Sequence, residues 1–328
     1  MDGQTSILQQ NVWKCEANAT CRRCGSVTSC CRAMAVSTQG PGSLAKALLH
    51  VLEVLGAIDG TYQRHRSETG QVGVDYWDLV GIQSLASGRQ WITKNPRRYQ
   101  IAIYHEGETI TWSELENATS RLARVYESMG VGQDDFVTIA LPNGIELFLS
   151  TIATWKVGAT PQPVSAKLPQ FERDQIVEVG NPQLVTGVEG GAHPERKSLP
   201  VGITIDEAID DSPLPANVAH SWKAMTSGGS TGRPKLIVST QSVVWDLDAD
   251  RFQSRIGGSM LIPGPLYHNG PFIWGFSALL RGNQVTVTTR LDAEQTLGLI
   301  ESQKVDIVYR VPTMMQRIWN LAEEVRTR

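Results

Sequence analysis

The chain has 328 residues, 41% hydrophobic and 19% charged, with a formal net charge of -3. That length allows two domains, or one large α/β domain with an appendage, and the balanced charge leaves no basic stripe for a nucleic-acid backbone, so nucleic acid is not an expected partner. No stretch approaches the roughly 18 uncharged apolar residues of a membrane span, and the polar start MDGQTSILQQ lacks the basic-then-apolar order of a secretory signal, so the expected address is cytoplasmic.

Residues 1 to about 45 mix Cys, Ser, Thr, Gln and Gly without helical or strand period, which predicts a poorly ordered leader. All five cysteines (Cys15, Cys21, Cys24, Cys30 and Cys31) lie in it. The spacing Cys21-x-x-Cys24 followed by Cys30-Cys31 supplies enough thiolates for a zinc ion. Adjacent Cys30 and Cys31 point poorly at one tetrahedral centre, however, and incidental thiols are the expected reading. Residues 43–58, SLAKALLHVLEVLGAI, place Leu44, Leu48, Leu49, Val51, Leu52 and Leu55 close to helical spacing, and a polar linker follows over 59–73. Residues 1–82 are therefore expected to form an N-terminal extension.

From about residue 83 the pattern becomes a regular alternation of helix and strand. Thr111-x-x-Glu114 is a capping-box pattern opening a helix whose apolar face is Leu115, Ala118, Leu122, Val125, Tyr126 and Met129, with Gly130 at its end. A strand over 136–142, a helix over 144–158, a short strand over 159–164, a helix over 170–180 and a strand over 183–187 follow. After a loop-rich stretch, strands are expected over 220–225 and 235–238 on either side of a glycine-rich loop. Then come a strand (258–264), a helix (270–282), a strand (283–289), a helix (292–303), a strand (305–312) and a helix (313–328). Repeated β-α units imply parallel sheets covered by helices, with ligands beyond the carboxyl ends of the strands.

The glycine-rich loop lies in AMTSGGSTGRPKLIV, residues 224–238. Gly228, Gly229 and Gly232 permit backbone conformations closed to other residues, so successive N–H groups can converge on one anion. Thr226, Ser227, Ser230 and Thr231 add hydroxyl donors, and Lys235 adds an ammonium. A polyphosphate suits that set. The string matches neither G-x-x-x-x-G-K-[ST], because no glycine directly precedes Lys235, nor G-x-G-x-x-G, because its first spacing is missing. A flexible connection is the alternative that the residues alone leave open.

The string TSGGSTGRPK closely resembles the phosphate-binding signature of adenylate-forming enzymes, which include acyl- and aryl-CoA synthetases, luciferases and peptide-synthetase adenylation domains. PGPLYHNGPF (263–272) resembles the Pro-x-x-His segment that follows the loop in that family, and residues 110–164 look like its N-terminal portion. The resemblance covers residues 83–328, and the wording of the two blocks is nearest to bile-acid and steroid-acid CoA ligases. It implies an α/β fold, the incomplete N-terminal domain of such an enzyme. It also implies an ATP-dependent acid-CoA ligase that joins a carboxylic acid to AMP and then passes it to coenzyme A.

Carried over by motif, Thr226, Ser227, Gly228, Gly229, Ser230, Thr231, Gly232 and Lys235 would hold the ATP phosphates. His268, the other catalytic candidate beside Lys235, would sit near the reacting carboxylate. A neutral helix-start histidine is the alternative reading of His268, and simple core is the alternative for Tyr267, Trp274 and Phe276 as acyl-pocket residues. The family's aromatic-Gly-x-Thr-Glu, Thr-Gly-Asp, hinge and C-terminal lysine motifs have no counterpart here, so the expected Mg2+ ligand is lacking and no metal-binding residue is assigned. The resulting expectation is a truncated, inactive ligase, with a non-catalytic nucleotide- or acyl-binding remnant as the alternative.

Overall fold

The computed structural model describes residues 99–215, 217–227, 234–243 and 257–327. The expected leader with its cysteines, the helix over 43–58, the linker and the boundary at residue 82 lie outside the described residues.

The fold begins with a hairpin that periodicity did not single out, β1 (Ile101–His105) and β2 (Glu108–Thr111), paired antiparallel. Thr111 ends β2 and caps α1 (Trp112–Ser128): its hydroxyl accepts from Glu114 N at 3.3 Å, while the Glu114 carboxylate accepts from Thr111 N at 2.8 Å. The capping box read from the sequence is thus formed. Leu115, Leu122 and Tyr126 are buried as the apolar spacing requires, and Gly130 leaves the helix at φ +82°.

Two βαβαβ units follow, built alike. In the first, β3 (Phe136–Ile139) is followed by α2 (Ile145–Lys156), β4 (Thr160–Pro163), α3 (Gln170–Gly180) and β5 (Leu184–Thr186). These strands, with a short β6 (Lys197–Leu199) from the stretch read as loop, form an all-parallel sheet ordered β4-β3-β5-β6. Pro161 and Pro163 sit in β4 because it is an edge strand, where a missing N–H costs no ladder bond. In the second unit, β9 (Ser259–Ile262) is followed by α4 (Asn269–Leu280), β10 (Gln284–Val287), α5 (Ala293–Ser302) and β11 (Ile307–Val308). With β1 and β2 they form a sheet ordered β11-β9-β10-β1-β2, parallel except for the β1–β2 pair. In each unit the first strand is central and its two successors flank it, which puts a topological switch point at the carboxyl ends of β3 and β9.

The third sheet is the antiparallel hairpin of β7 (Ala224–Ser227) and β8 (Lys235–Val238). Its stem is tied to the first unit by Trp155 Nε1, which donates to Trp222 O at 2.7 Å, and by Thr160 Oγ1, which donates to Ser221 O at 2.9 Å.

One apolar cluster joins both large sheets. Ile103, Met260, Ile262, Val285 and Val287 from one meet Val137, Ile139 and Leu184 from the other, with α2 and α4 contributing Phe148, Trp155, Phe272 and Phe276. The Phe148 and Phe276 rings pack tilted, 4.7 Å between centroids, and Trp155 meets Phe276 edge-on at 5.1 Å. Strand alternation sends Val185 to the opposite face, where Val164, Ile176 and Val177 form a second cluster under α3.

Two sequence expectations change near residue 310. The strand expected over 305–312 shortens to β11, because Pro312 takes the first turn of α6 (Pro312–Trp319), where its missing N–H is harmless. The single helix expected over 313–328 is two, since α6 stops at Asn320 and α7 (Glu323–Arg326) restarts after it. Among the described residues no helix is long and apolar enough to cross a membrane.

Candidate active site

The hairpin brings the two ends of the glycine-rich segment together. Ser227, the last residue of β7, is paired with Lys235, the first of β8, and Thr226 with Leu236. Gly228, Gly229, Ser230, Thr231 and Gly232 lie outside the described residues. The strands on either side of the segment are thus paired with each other, Ser227 against Lys235.

His268 occupies the N-cap position of α4 in extended conformation, with no side-chain capping bond. Its carbonyl accepts from Phe272 N at 3.1 Å, and its own N–H donates to Pro265 O at 3.1 Å, closing a turn ahead of the helix. The imidazole is exposed and lies against Tyr267, with 4.5 Å between ring centroids. It is a helix-start histidine by position, yet its ring is not used to cap the helix.

A cavity of about 440 Å³ brings these parts together. Thr226, Ser227 and Pro234 line it from the hairpin, Tyr267 and His268 from the approach to α4, and Pro163, Val164 and Ser165 from the carboxyl end of β4. Leu168, Phe171 and Ile176 supply an apolar wall, with Glu172 and Gln175 beside them. Thr226 Oγ1 is buried and has no hydrogen-bond partner among the described residues. Lys235 is exposed at the foot of β8 and does not line the cavity.

A larger concavity of about 790 Å³, lined by Tyr104, Glu106, Arg290 and Asp292 among others, lies past the carboxyl ends of β1 and β10. It contains none of the loop or His268, so chemistry and not size selects the smaller cavity.

Of the aromatic acyl-pocket candidates, only Tyr267 lines the cavity. Phe276 is fully buried among Phe148, Trp155 and Phe272, and Trp274 rests against Tyr309 at 6.4 Å. Helical spacing explains the difference: Phe276 sits one turn on from Phe272, on the face of α4 that meets the core.

Two residues near the site were not singled out by any motif. Lys223 extends its ammonium to Asn269 Oδ1 at 2.6 Å, next to His268, and lies 5.0 Å over the Trp222 ring. Partial burial holds its pKa below the ordinary lysine value. Asn143, in the loop after β3, bonds the segment that leads to His268. Both contacts bridge residues far apart in sequence, and only the folded chain reveals them. Among the described residues no group of three or more His, Cys, Asp or Glu is placed to hold a metal ion.

The two βαβαβ units and the hairpin define an α/β protein, and comparison with known proteins gives its family. Residues 89–327 match the model of the AMP-binding enzyme family, and the chain belongs to that family. It is 28% identical over 232 residues to a feruloyl-CoA synthase of an Amycolatopsis species, covering 67% of this chain and 47% of the relative. It is 22% identical over 236 residues to the 2-succinylbenzoate–CoA ligase of Bacillus licheniformis, covering 67% and 48%. The chain thus spans about half the length of the curated relatives it matches. In fold it is similar to the o-succinylbenzoate CoA synthetase of Bacillus subtilis solved with ATP and magnesium ion. The TM-score is 0.62 at 22% identity, covering 73% of this chain and 51% of that one. It is also similar to the N-terminal domain of FACL13 from Mycobacterium tuberculosis, at TM-score 0.58 and 18% identity, covering 74% and 66%.

Proposed function

We propose that this chain carries the ATP- and acid-handling portion of an ATP-dependent acid-CoA ligase. The observation that carries the reading is the hairpin, which pairs the strands on either side of the glycine-rich residues and sets Thr226 and Ser227 in the wall of the cavity that His268 also lines. In this reading residues 226–232 and Lys235 bind the phosphates of ATP. His268 faces the carboxylate, and the apolar wall of Leu168, Phe171 and Ile176 takes an apolar portion of a substrate.

The chemistry asks for positioning and for charge stabilisation. A carboxylate is a weak nucleophile, and its attack on the α-phosphate needs the two held in line while negative charge gathers on the departing pyrophosphate. In this reading the backbone N–H groups of the glycine-rich segment meet the second need, and Lys235, the first residue of β8, adds a positive charge.

The test is carboxylate-dependent ATP–pyrophosphate exchange with fatty, aromatic and steroid acids, on a sample whose fold is checked by circular dichroism. Exchange with one class supports the ligase reading and identifies the acid. A folded sample that binds ATP and exchanges with none of them refutes it in favour of a non-catalytic nucleotide-binding protein.

A further inference from the structure

The two βαβαβ units each place a loop at their switch point, residues 140–144 after β3 and residues 263–268 after β9. The Asn143 side chain joins them. Asn143 Nδ2 donates to Gly264 O at 2.9 Å and to Thr288 O, just past β10, at 3.1 Å. Asn143 Oδ1 accepts from Leu266 N at 2.9 Å. Asn143 is 7% exposed, so water does not compete for these bonds.

The chemistry of the site admits one orientation of one residue type. Two carbonyls demand two donors and one N–H demands an acceptor, spaced as a primary amide provides. An aspartate would set negative charge against two carbonyl oxygens. A leucine of similar size would leave all three groups unpaired. Glutamine is a methylene too long to set its amide against the same three partners.

From Leu266 the path to the cavity is short. His268 N–H donates back to Pro265 O, and His268 O accepts the first helical bond of α4. The same segment is backed by Tyr309, whose ring lies close to both Gly264 and Gly270. The imidazole itself has no capping bond to hold it, so its position follows the backbone of residues 264–268.

We infer that Asn143 is a positioning residue of this site: it fixes the 264–268 segment, and through it sets the placement of His268 over the cavity. The functional consequence rests on the proposed role of His268 in carboxylate handling. Removing the amide lets the segment shift while the hairpin, anchored elsewhere by Trp155 and Thr160, stays in place. Carboxylate use should suffer and ATP affinity should not.

The experiment uses the full chain and the variants Asn143→Leu and Asn143→Asp. Two readouts need no activity. Hydrogen exchange at the Leu266 amide should accelerate about tenfold or more in Asn143→Leu relative to amides in the middle of α2, since each 1.4 kcal/mol of lost protection is a factor of ten. The histidine side-chain NMR signal assigned to His268, by its loss in His268→Gln, should move. Asn143→Asp should behave like Asn143→Leu at neutral pH and return toward the unaltered chain, compared at matched pH, as its carboxyl is protonated and regains a donor.

In ATP–pyrophosphate exchange the KM for the acid should rise by about tenfold while the KM for ATP holds within about twofold. A Leu266 amide and a His268 signal identical to those of the unaltered chain, in either folded variant, overturn the inference. So does an equal rise in both KM values. Should Asn143→Leu fail to fold, Asn143→Asp decides by its return at low pH, whose absence also overturns the inference. Absence of exchange in the unaltered chain sinks the ligase reading alone, and the two spectroscopic readouts still decide the role of Asn143.

Discussion

Between α1 and α2 lies an ion pair that is the sharpest test of how this fold is held together. Lys156 has no exposed side-chain surface, Glu116 is 9% exposed, and the ammonium lies 2.6 Å from Glu116 Oε1. The other two ammonium hydrogens find Glu116 O at 3.2 Å and Ser120 Oγ at 2.9 Å, so all three donors are used. Glu116→Gln removes the counter-charge and leaves the buried ammonium facing neutral acceptors. Breaking one side of such a pair costs about 3 to 5 kcal/mol, a large share of the roughly 5 to 15 kcal/mol that holds a typical domain. Replacing both, as Glu116→Leu with Lys156→Met, removes the burial cost along with the attraction and should restore most of the loss. The assay is urea unfolding followed by circular dichroism, comparing midpoints at unchanged slope.

The pH dependence has a definite sign. Burial pulls the Lys156 pKa below the ordinary 10.5, against the opposing pull of Glu116. The unfolded chain then holds the proton more tightly, so stability rises with pH between the folded-state value and 10.5, and the cost is full below that window. The rise should be larger in Glu116→Gln, which lacks the opposing attraction. A Glu116→Gln midpoint equal to that of the unaltered chain, or a double variant no better than the single, would refute the reasoning.

Thr111→Ala should cost about 1 kcal/mol by opening the capping box of α1, measured as a shift in the urea midpoint. The Glu114 carboxyl is held below its ordinary 4.5, first by the bond from Thr111 N and then by the Thr111 hydroxyl, so its stabilisation is full above 4.5 and lost as pH falls through the folded value. Glu114→Gln should flatten that part of the acid-unfolding curve. Gly270→Ala would drive a Cβ into the Tyr309 hydroxyl. A loss of about 1 to 3 kcal/mol is expected, read from thermal unfolding, with partial recovery on adding Tyr309→Phe. His268→Ala should raise the acid's KM more than that of ATP in the exchange assay, and an unchanged acid KM in a folded variant removes His268 from the site.

Much of the fold was legible in the chain because its signals are local. The Thr111–Glu114 pair announces α1 within four residues, and the β-α alternation from Phe136 to Ser302 follows from apolar runs broken by glycine. What escaped depends on partners distant in sequence. The β1–β2 hairpin is short, and its place beside β10 is settled by pairing across more than 170 residues. Glu116 reads as a solvent-facing helix residue until Lys156 arrives 40 positions later to neutralise it. Phe276 reads as well for a pocket as for the core, and the face of α4 decides between them.

The site divides the same way. The loop residues and His268 are visible as wording, but the cavity that joins Thr226 to His268, the exposure of Lys235 outside it, and the amide of Asn143 are products of tertiary contact.

The measurement to make first is equilibrium binding of ATP to the folded 328-residue chain by isothermal titration calorimetry, alongside Lys235→Ala. The phosphate-binding role of residues 226–235 predicts saturable binding that weakens about tenfold or more in the variant and falls with added salt, since Lys235 is exposed. A folded chain that does not bind ATP, or binds it equally well without Lys235, contradicts that role.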